Sequence, residues 1–161
     1  MPFTIACLLS FGTAFIGAVI IYWLDRYEKE PKRLLVGVFL WGAIVAMIGA
    51  VIAELVLSGG TLALTNSKAF VQLLERTTFA PIVEESFKGV ALLIVFFIFR
   101  SEFDSVLDGI VYAGIVALGF AAMENTFYLY GAYTEKGMPG LFTLYFVRGI
   151  LMGWDHPMFT A

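Results

Sequence analysis

Three glutamates, one lysine, one arginine and the single histidine of this chain stand in or beside apolar segments, where charged side chains are costly. Glu84 and Lys88 are four residues apart, and Glu85 and Lys88 are three apart, so a helix would place them on one face. Adjacent carboxylates beside an ammonium group can divide into an ionised base and a protonated acid. Pro81 predicts a helix start that puts both glutamates within about one turn of the positive end of the helix dipole.

The remaining polar residues lie further along the chain. Glu124 and Asn125 are inside one apolar run, Arg148 is inside the next, and His156 follows it. Two chemistries fit this set. In hydrolysis, a glutamate polarises a water molecule while histidine stabilises an oxyanion or donates a proton. In transport, the same groups form a proton or cation relay.

Simpler structural roles are available for each part of the set. Glu85 and Lys88 could form a salt bridge near the outer interface, with the lysine side chain extended towards water. Glu124 and Asn125 could make a helix-packing hydrogen bond, and His156 could be a packing or capping residue. These roles do not explain why so many ionisable residues are spread over three apolar segments, and we therefore expect one shared aqueous pocket.

The composition places the chain in a membrane. Apolar residues make up 60% of the 161 residues and charged residues 14%, too few charges for a water-soluble surface. A single cysteine excludes a disulfide within the chain, and a single histidine excludes HExxH and three-histidine zinc sites. The net charge of −3 provides no basic face for nucleic acid.

A helix needs about 20 apolar residues to cross the bilayer core. The sequence therefore predicts an all-α, polytopic transmembrane helical bundle with about five hydrophobic segments. The predicted segments are residues 4–24, 34–53, 79–99, 106–131 and 141–154. Basic residues in the loop 25–33, Arg26 among them, predict that this loop is cytoplasmic and the N-terminus outside, with Tyr27 at the inner interface.

Three smaller features complete the expected organisation. Residues 66–78 are amphipathic and predict a short interfacial helix capped by Asn66 or Ser67. The loop 134–140 is expected outside. Gly153, Asp155 and Pro157 predict a helix break that leaves His156 on a turn, with Asp155 or His156 capping a new helix. Because that helix is only begun, we expect the chain to be a fragment.

Three motifs resemble those of the PrsW family of intramembrane proteases, which is related to the CPBP group that includes the eukaryotic CAAX-processing proteases. They are E-E-x-x-K at Glu84, Glu85 and Lys88, F-x-x-x-E-N at Phe120, Glu124 and Asn125, and the segment from Arg148 to His156 with H-P-x-x-x-A. The loop at residues 22–31 is also similar to the first cytoplasmic loop of that family. The resemblance covers residues 22–161.

The resemblance implies a single transmembrane protease domain over residues 1–161, in a prokaryotic plasma membrane. Its substrates would be membrane-anchored proteins such as anti-sigma factors, whose cleavage releases a transcription response. Glu84 and Glu85 would be the paired catalytic glutamates and His156 the catalytic histidine. Glu124 and Asn125 stand where the CPBP relatives have a histidine, which leaves the division of roles open.

We expect Glu84 or Glu85 to act as general base on water, with His156 and Asn125 stabilising the oxyanion and Glu124 positioning the water or His156. Lys88 and Arg148 are expected to be counter-ions. No cofactor is favoured. Zinc is possible if Glu124, His156 and one of Glu84 and Glu85 converge at ligand distance.

Two alternatives belong to other classes. A proton- or cation-coupled transporter would need a continuous polar path, yet the segment 79–99 has no polar residue after Lys88. A non-catalytic, protease-like scaffold would tolerate substitution of Glu84, Glu85 and His156. Both alternatives would be proteins of the lipid bilayer, and neither would bind nucleic acid.

Overall fold

The computed structural model describes residues 1–25 and 29–161. The described residues are almost entirely helical and contain no strand, which confirms the all-α prediction. Residues 26–28 belong to the loop expected to be cytoplasmic. The predicted positions of Arg26 and Tyr27 therefore lie outside the described residues, as does the middle of the loop motif.

In the described part of the chain, seven α-helices are joined in places by π-helical or 3-10 turns. They are α1 (Pro2–Leu24), α2 (Lys32–Leu40), α3 (Met47–Thr65), α4 (Lys68–Leu74), α5 (Ala80–Ile98), α6 (Val106–Tyr145) and α7 (Asp155–Thr160). The π-helical stretches are Trp41–Ala46, Glu75–Phe79 and Phe146–Leu151, and the 3-10 turn is Arg100–Glu102.

Three helical stretches among the described residues are long and apolar enough to cross a membrane: Pro2–Leu24, Lys32–Thr65 and Val106–Thr160. The first two contain the predicted segments 4–24 and 34–53. The count of about five is not confirmed. Helix α5 has 19 residues but three charges, and the predicted fourth and fifth segments belong to one helical stretch.

The predicted fourth and fifth segments are joined by a sharp turn inside α6. Gly137 has φ 66° and ψ −159°, a backbone region open essentially to glycine alone. Leu129 and Leu141, on either side of Gly137, pack in the same apolar cluster with Ala6 of α1. This contact shows that the chain reverses at Gly137. The seven-residue loop expected at 134–140 is thus a tight turn between two helical arms.

The first arm of α6 forms the centre of the molecule. Nearly every residue from 111 to 122 is buried, and α1 packs along this stretch. The connection from α2 to α3 crosses it with backbone against backbone: a Cβ atom on Gly42 would lie 2.0 Å from the carbonyl oxygen of Val116. The arm that bears Glu124 is therefore held between α1 and the α2–α3 connection.

Several local predictions can be compared with the structure. Ser67 caps the short helix α4 by accepting a hydrogen bond from the Phe70 amide at 3.4 Å, as expected, whereas Asn66 ends α3 with φ 50°. The chain breaks over residues 152–154, as expected near Gly153, but Trp154 rather than Asp155 or His156 occupies the cap of α7.

Helix α5 begins at Ala80 with Pro81 in its first turn, as predicted, but that first turn is not a free helix N-terminus. Helix α4 continues through the π-helical stretch Glu75–Phe79 into α5, so Glu84 and Glu85 lie well inside a helical run. The Ala80 amide, directly before Pro81, donates to the carbonyl oxygen of Glu75 within this run. The positive end of a helix dipole therefore does not explain how these two carboxylates are stabilised.

Candidate active site

The seven residues predicted from sequence meet in one cluster. Helix α5 supplies Glu84, Glu85 and Lys88, and the first arm of α6 supplies Glu124 and Asn125. After the reversal at Gly137, the π-helical stretch Phe146–Leu151 supplies Arg148, and α7 supplies His156. Direct contacts connect all seven side chains.

Lys88 is at the centre of the cluster, with a fully buried side chain. Its Nζ donates hydrogen bonds to Glu85 Oε1 at 2.7 Å and to His156 Nδ1 at 3.2 Å. Glu84 Oε2 lies 3.7 Å from the same nitrogen, and the Phe120 ring centre lies 4.3 Å away. The alternative in which Lys88 extends towards the interface is therefore wrong.

Glu124 is held from two sides. Arg148 Nη2 donates to Glu124 Oε2 at 2.7 Å, and His156 Nε2 lies 3.0 Å from the same oxygen. Arg148 Nε also donates to Asn125 Oδ1 at 2.7 Å, and its guanidinium lies 4.1 Å from the Tyr128 ring centre. Lys88 and Arg148 thus stand as counter-ions on either side of the glutamates and the histidine.

The two contacts of His156 determine its tautomer. An ammonium group has donors and no acceptor, so Nδ1 must accept from Lys88. The proton of the neutral imidazole is then on Nε2, which donates it to Glu124. His156 therefore connects the lysine on one side to a carboxylate on the other.

A cavity of about 540 Å³ opens beside the cluster, between α3, α5 and α6. Glu84 and Glu124 line it together with Phe120, Phe127 and Leu144. His156, Asn125 and Arg148 line a smaller neighbouring cavity of about 90 Å³. The lining of the large cavity is mostly apolar, as in many binding clefts, but it includes four glutamates.

Glu54 is a cavity residue that the sequence analysis missed. It lies on α3, lines the large cavity, and makes no ion pair with another described residue. The predicted segment ended at residue 53, and so this charge was left outside it. Glu54 is the one charged residue between Arg33 and Lys68, a signal that the sequence alone contained. Glu135, near the turn, also lines this cavity.

The fold and the site define a class: a helical membrane protein with a carboxylate–histidine centre beside an internal cleft. The chain belongs to the PrsW family, because residues 30–161 match the model of the family described as PrsW family intramembrane metalloprotease. The resemblance found in the three motifs is confirmed.

Three relatives, each named Protease PrsW, are similar over most of the chain. The protein of Geobacillus kaustophilus (strain HTA426) is 34% identical over 96% of this chain and 62% of its own length. The proteins of Clostridioides difficile (strain 630) and Bacillus subtilis (strain 168) are 32% and 31% identical over 76% and 89% of this chain. The chain covers 50% and 60% of those two relatives, and no solved structure matches it.

The family description implies a metal, and the candidate ligands are Glu84, Glu85, Glu124 and His156. A catalytic zinc takes three protein ligands, and a histidine ligand must offer a free lone pair. Here Lys88 occupies the Nδ1 lone pair of His156, and Nε2 bears the proton. Among the described residues, no three acidic, histidine or cysteine side chains are arranged to hold a metal ion. This donor set does not fit a divalent cation in the arrangement observed.

Proposed function

We propose that the full-length protein is an intramembrane endopeptidase in which a glutamate activates water. It hydrolyses peptide bonds of membrane-anchored proteins in the cavity between α3, α5 and α6. The observation that supports this most directly is the single cluster formed by Glu84, Glu85, Glu124 and His156, of which Glu84 and Glu124 line that cavity. Membership of the PrsW family supports the same reaction class.

Glu84 is the better placed of the two adjacent glutamates to act as general base. Its carboxylate lines the cavity and lies 3.7 Å from Lys88 Nζ, whereas Glu85 is bound to the same nitrogen at 2.7 Å. Glu84 takes a proton from water as the water oxygen attacks the scissile carbonyl carbon. The same carboxyl group then returns the proton to the leaving amide nitrogen as the C–N bond breaks.

Asn125, which lines the smaller neighbouring cavity, is the candidate donor to the oxyanion. Arg148 holds its side-chain oxygen at 2.7 Å, which leaves the amide nitrogen with two hydrogens to donate. His156 can join it only if its Nε2 proton turns away from Glu124, since the two groups are hydrogen-bonded here. Stabilisation of a developing oxyanion by such fixed donors is commonly the largest single contribution to acyl-transfer catalysis.

The substrates that fit this proposal are proteins with a single membrane anchor, such as anti-sigma factors, and their cleavage would serve signalling across a bacterial plasma membrane. The apolar cavity walls suit a transmembrane segment whose backbone is locally unwound. The relay alternative gains no support, because α5 has no polar side chain between Lys88 and Arg100.

The proposal is tested with full-length protein in liposomes and a panel of single-pass substrates. Removing a general base lowers a rate by roughly 100-fold or more, so Glu84→Gln should lose at least that factor in cleavage. Glu102→Gln, on the 3-10 turn beyond the far end of α5, is the matched control and should cleave like wild type. Undiminished cleavage by Glu84→Gln and His156→Ala together would contradict the assignment.

A further inference from the structure

We infer that the Lys88 ammonium group takes the place of a divalent cation in this centre. The wild-type chain would then bind no metal there, and removing the amine would turn the surrounding residues into a metal site. The inference concerns binding alone, so it holds or fails independently of the proposed proteolysis.

Lys88 Nζ is surrounded by side chains of the types that bind zinc. Two carboxylates and one imidazole nitrogen surround it, at 2.7 Å for Glu85, 3.2 Å for His156 and 3.7 Å for Glu84. The Phe120 ring covers a further side at 4.3 Å. Three acidic or imidazole donors around one buried cation is the ligand count of a catalytic zinc site, with an amine where the metal would be.

The free lone pair of His156 points at Lys88. Only the unprotonated ring nitrogen can bind a metal, and in this tautomer that nitrogen is Nδ1. Nδ1 is the atom to which Lys88 donates. A metal could reach His156 at Nδ1 only by displacing the lysine, or at Nε2 only by removing a proton and separating the ring from Glu124.

The net charge of the cluster also favours Lys88 over an additional divalent cation. Glu84, Glu85 and Glu124 are opposed by two cations, Lys88 and Arg148, so the neutral histidine leaves the cluster with one excess negative charge. Adding a divalent cation beside Lys88 would place two positive centres in contact inside a buried site, which is strongly unfavourable. Replacing Lys88 with the divalent cation instead would leave the cluster neutral.

Removal of the amine therefore has a specific expected consequence. His156 Nδ1 and the Glu84 and Glu85 carboxylates would then face one unfilled point. Zinc bonds to nitrogen and oxygen are about 2.0–2.2 Å, so these donors would have to move inwards by roughly 0.6 Å for Glu85 to roughly 1.6 Å for Glu84. Side chains on helical positions can make an adjustment of that size by small torsional changes.

The test is zinc binding to the full-length protein in detergent, after bound metal is removed with a chelator, zinc is added back and the excess is dialysed away. Zinc content and isothermal titration are compared for wild type, Lys88→Ala and Lys88→Arg. Wild type and Lys88→Arg should retain less than about 0.1 zinc per chain, whereas Lys88→Ala should retain about one and bind it roughly 100-fold more tightly. The double variant Lys88→Ala with His156→Ala should lose that gain.

Two results would overturn the inference. The first is a wild-type protein that binds about one zinc per chain, together with a His156→Ala variant that does not. This measurement does not use Lys88→Ala, so it tests the inference even if that variant fails to fold. The second is a folded Lys88→Ala protein that binds zinc no better than wild type. Neither readout uses cleavage, so failure here is distinguishable from failure of the proposed protease activity.

Discussion

At the scale of residues, the sequence predicted which side chains matter but not how they are paired. Lys88 and Glu85, three residues apart, were expected to interact, and they do at 2.7 Å. The contacts of Lys88 with His156 and of Arg148 with Glu124 join residues 68 and 24 positions apart. No local spacing predicts such pairs, because they depend on how four helical segments pack together.

Glu30 illustrates a residue whose environment the sequence did not indicate. It is buried in the loop between α1 and α2, accepts a hydrogen bond from the Tyr112 hydroxyl, and donates its amide to Asp25 Oδ2 at 3.1 Å. Burial raises the pKa of Glu30 from 4.5 to about 7. The neighbouring Asp108 and Asp25 charges act in the same direction, and the hydrogen bond from Tyr112 opposes them.

A pH dependence of stability follows from this shift. Because the folded pKa exceeds the unfolded value, the folded protein holds the Glu30 proton more tightly. This contribution to the free energy of unfolding is complete below pH 4.5 and is lost as the pH rises through about 7. Wild type should therefore lose stability from acid to neutral pH relative to Glu30→Gln, measured by thermal unfolding in detergent.

Glu135→Gln serves as the control for this measurement, since Glu135 lies near the turn at Gly137 and is not among the charges that act on Glu30 or Tyr112. It should follow the wild-type pH profile. Identical slopes for wild type and Glu30→Gln would show that Glu30 does not titrate in this range.

At the scale of elements, the length of the apolar runs predicted the helices well. It did not predict the π-helical stretches that interrupt them. The segments 4–24 and 34–53 lie within helical stretches of the structure. The three π-helical stretches were not predicted, and two of them border the site: Glu75–Phe79 leads into α5, and Phe146–Leu151 contains Arg148. Such turns depend on packing around them rather than on local propensity, and they are frequent at functional sites.

The turn at Gly137 gives a prediction about the arm that bears Arg148. Gly137→Ala places a side chain in a backbone region that costs about 1–3 kcal/mol for residues other than glycine. The variant should be destabilised by that amount in thermal or denaturant unfolding. It should also lose cleavage activity, because Arg148 and His156 depend on the reversal to reach Glu124.

Gly131→Ala is the matched control, on the same helical stretch six residues earlier. A Cβ atom there would meet no atom within 4 Å, so alanine should be tolerated and should favour the helix slightly. Equal stability of the two variants would contradict the role given to the turn.

At the scale of the whole molecule, the sequence did not predict how deep His156 lies in the membrane relative to the glutamates. A straight helix from residue 141 would place His156 about 22 Å from its start, far from the glutamates. The break over residues 152–154 redirects the chain, and His156 then contacts both Lys88 and Glu124. Gly153 and Pro157 indicated that break, but only the packed molecule specifies where α7 then points.

The central claim is that Glu84 and His156, from different helices, belong to one reaction centre. The measurement that tests it most directly is a double-mutant cycle on the cleavage rate of one single-pass substrate by the full-length protein, with Glu84→Gln, His156→Ala and both together. Groups that act as a unit are strongly non-additive. Each single variant should lose roughly 100-fold or more, and the double variant should be little slower than the slower single one. A double variant that loses the product of the two factors would contradict a shared centre.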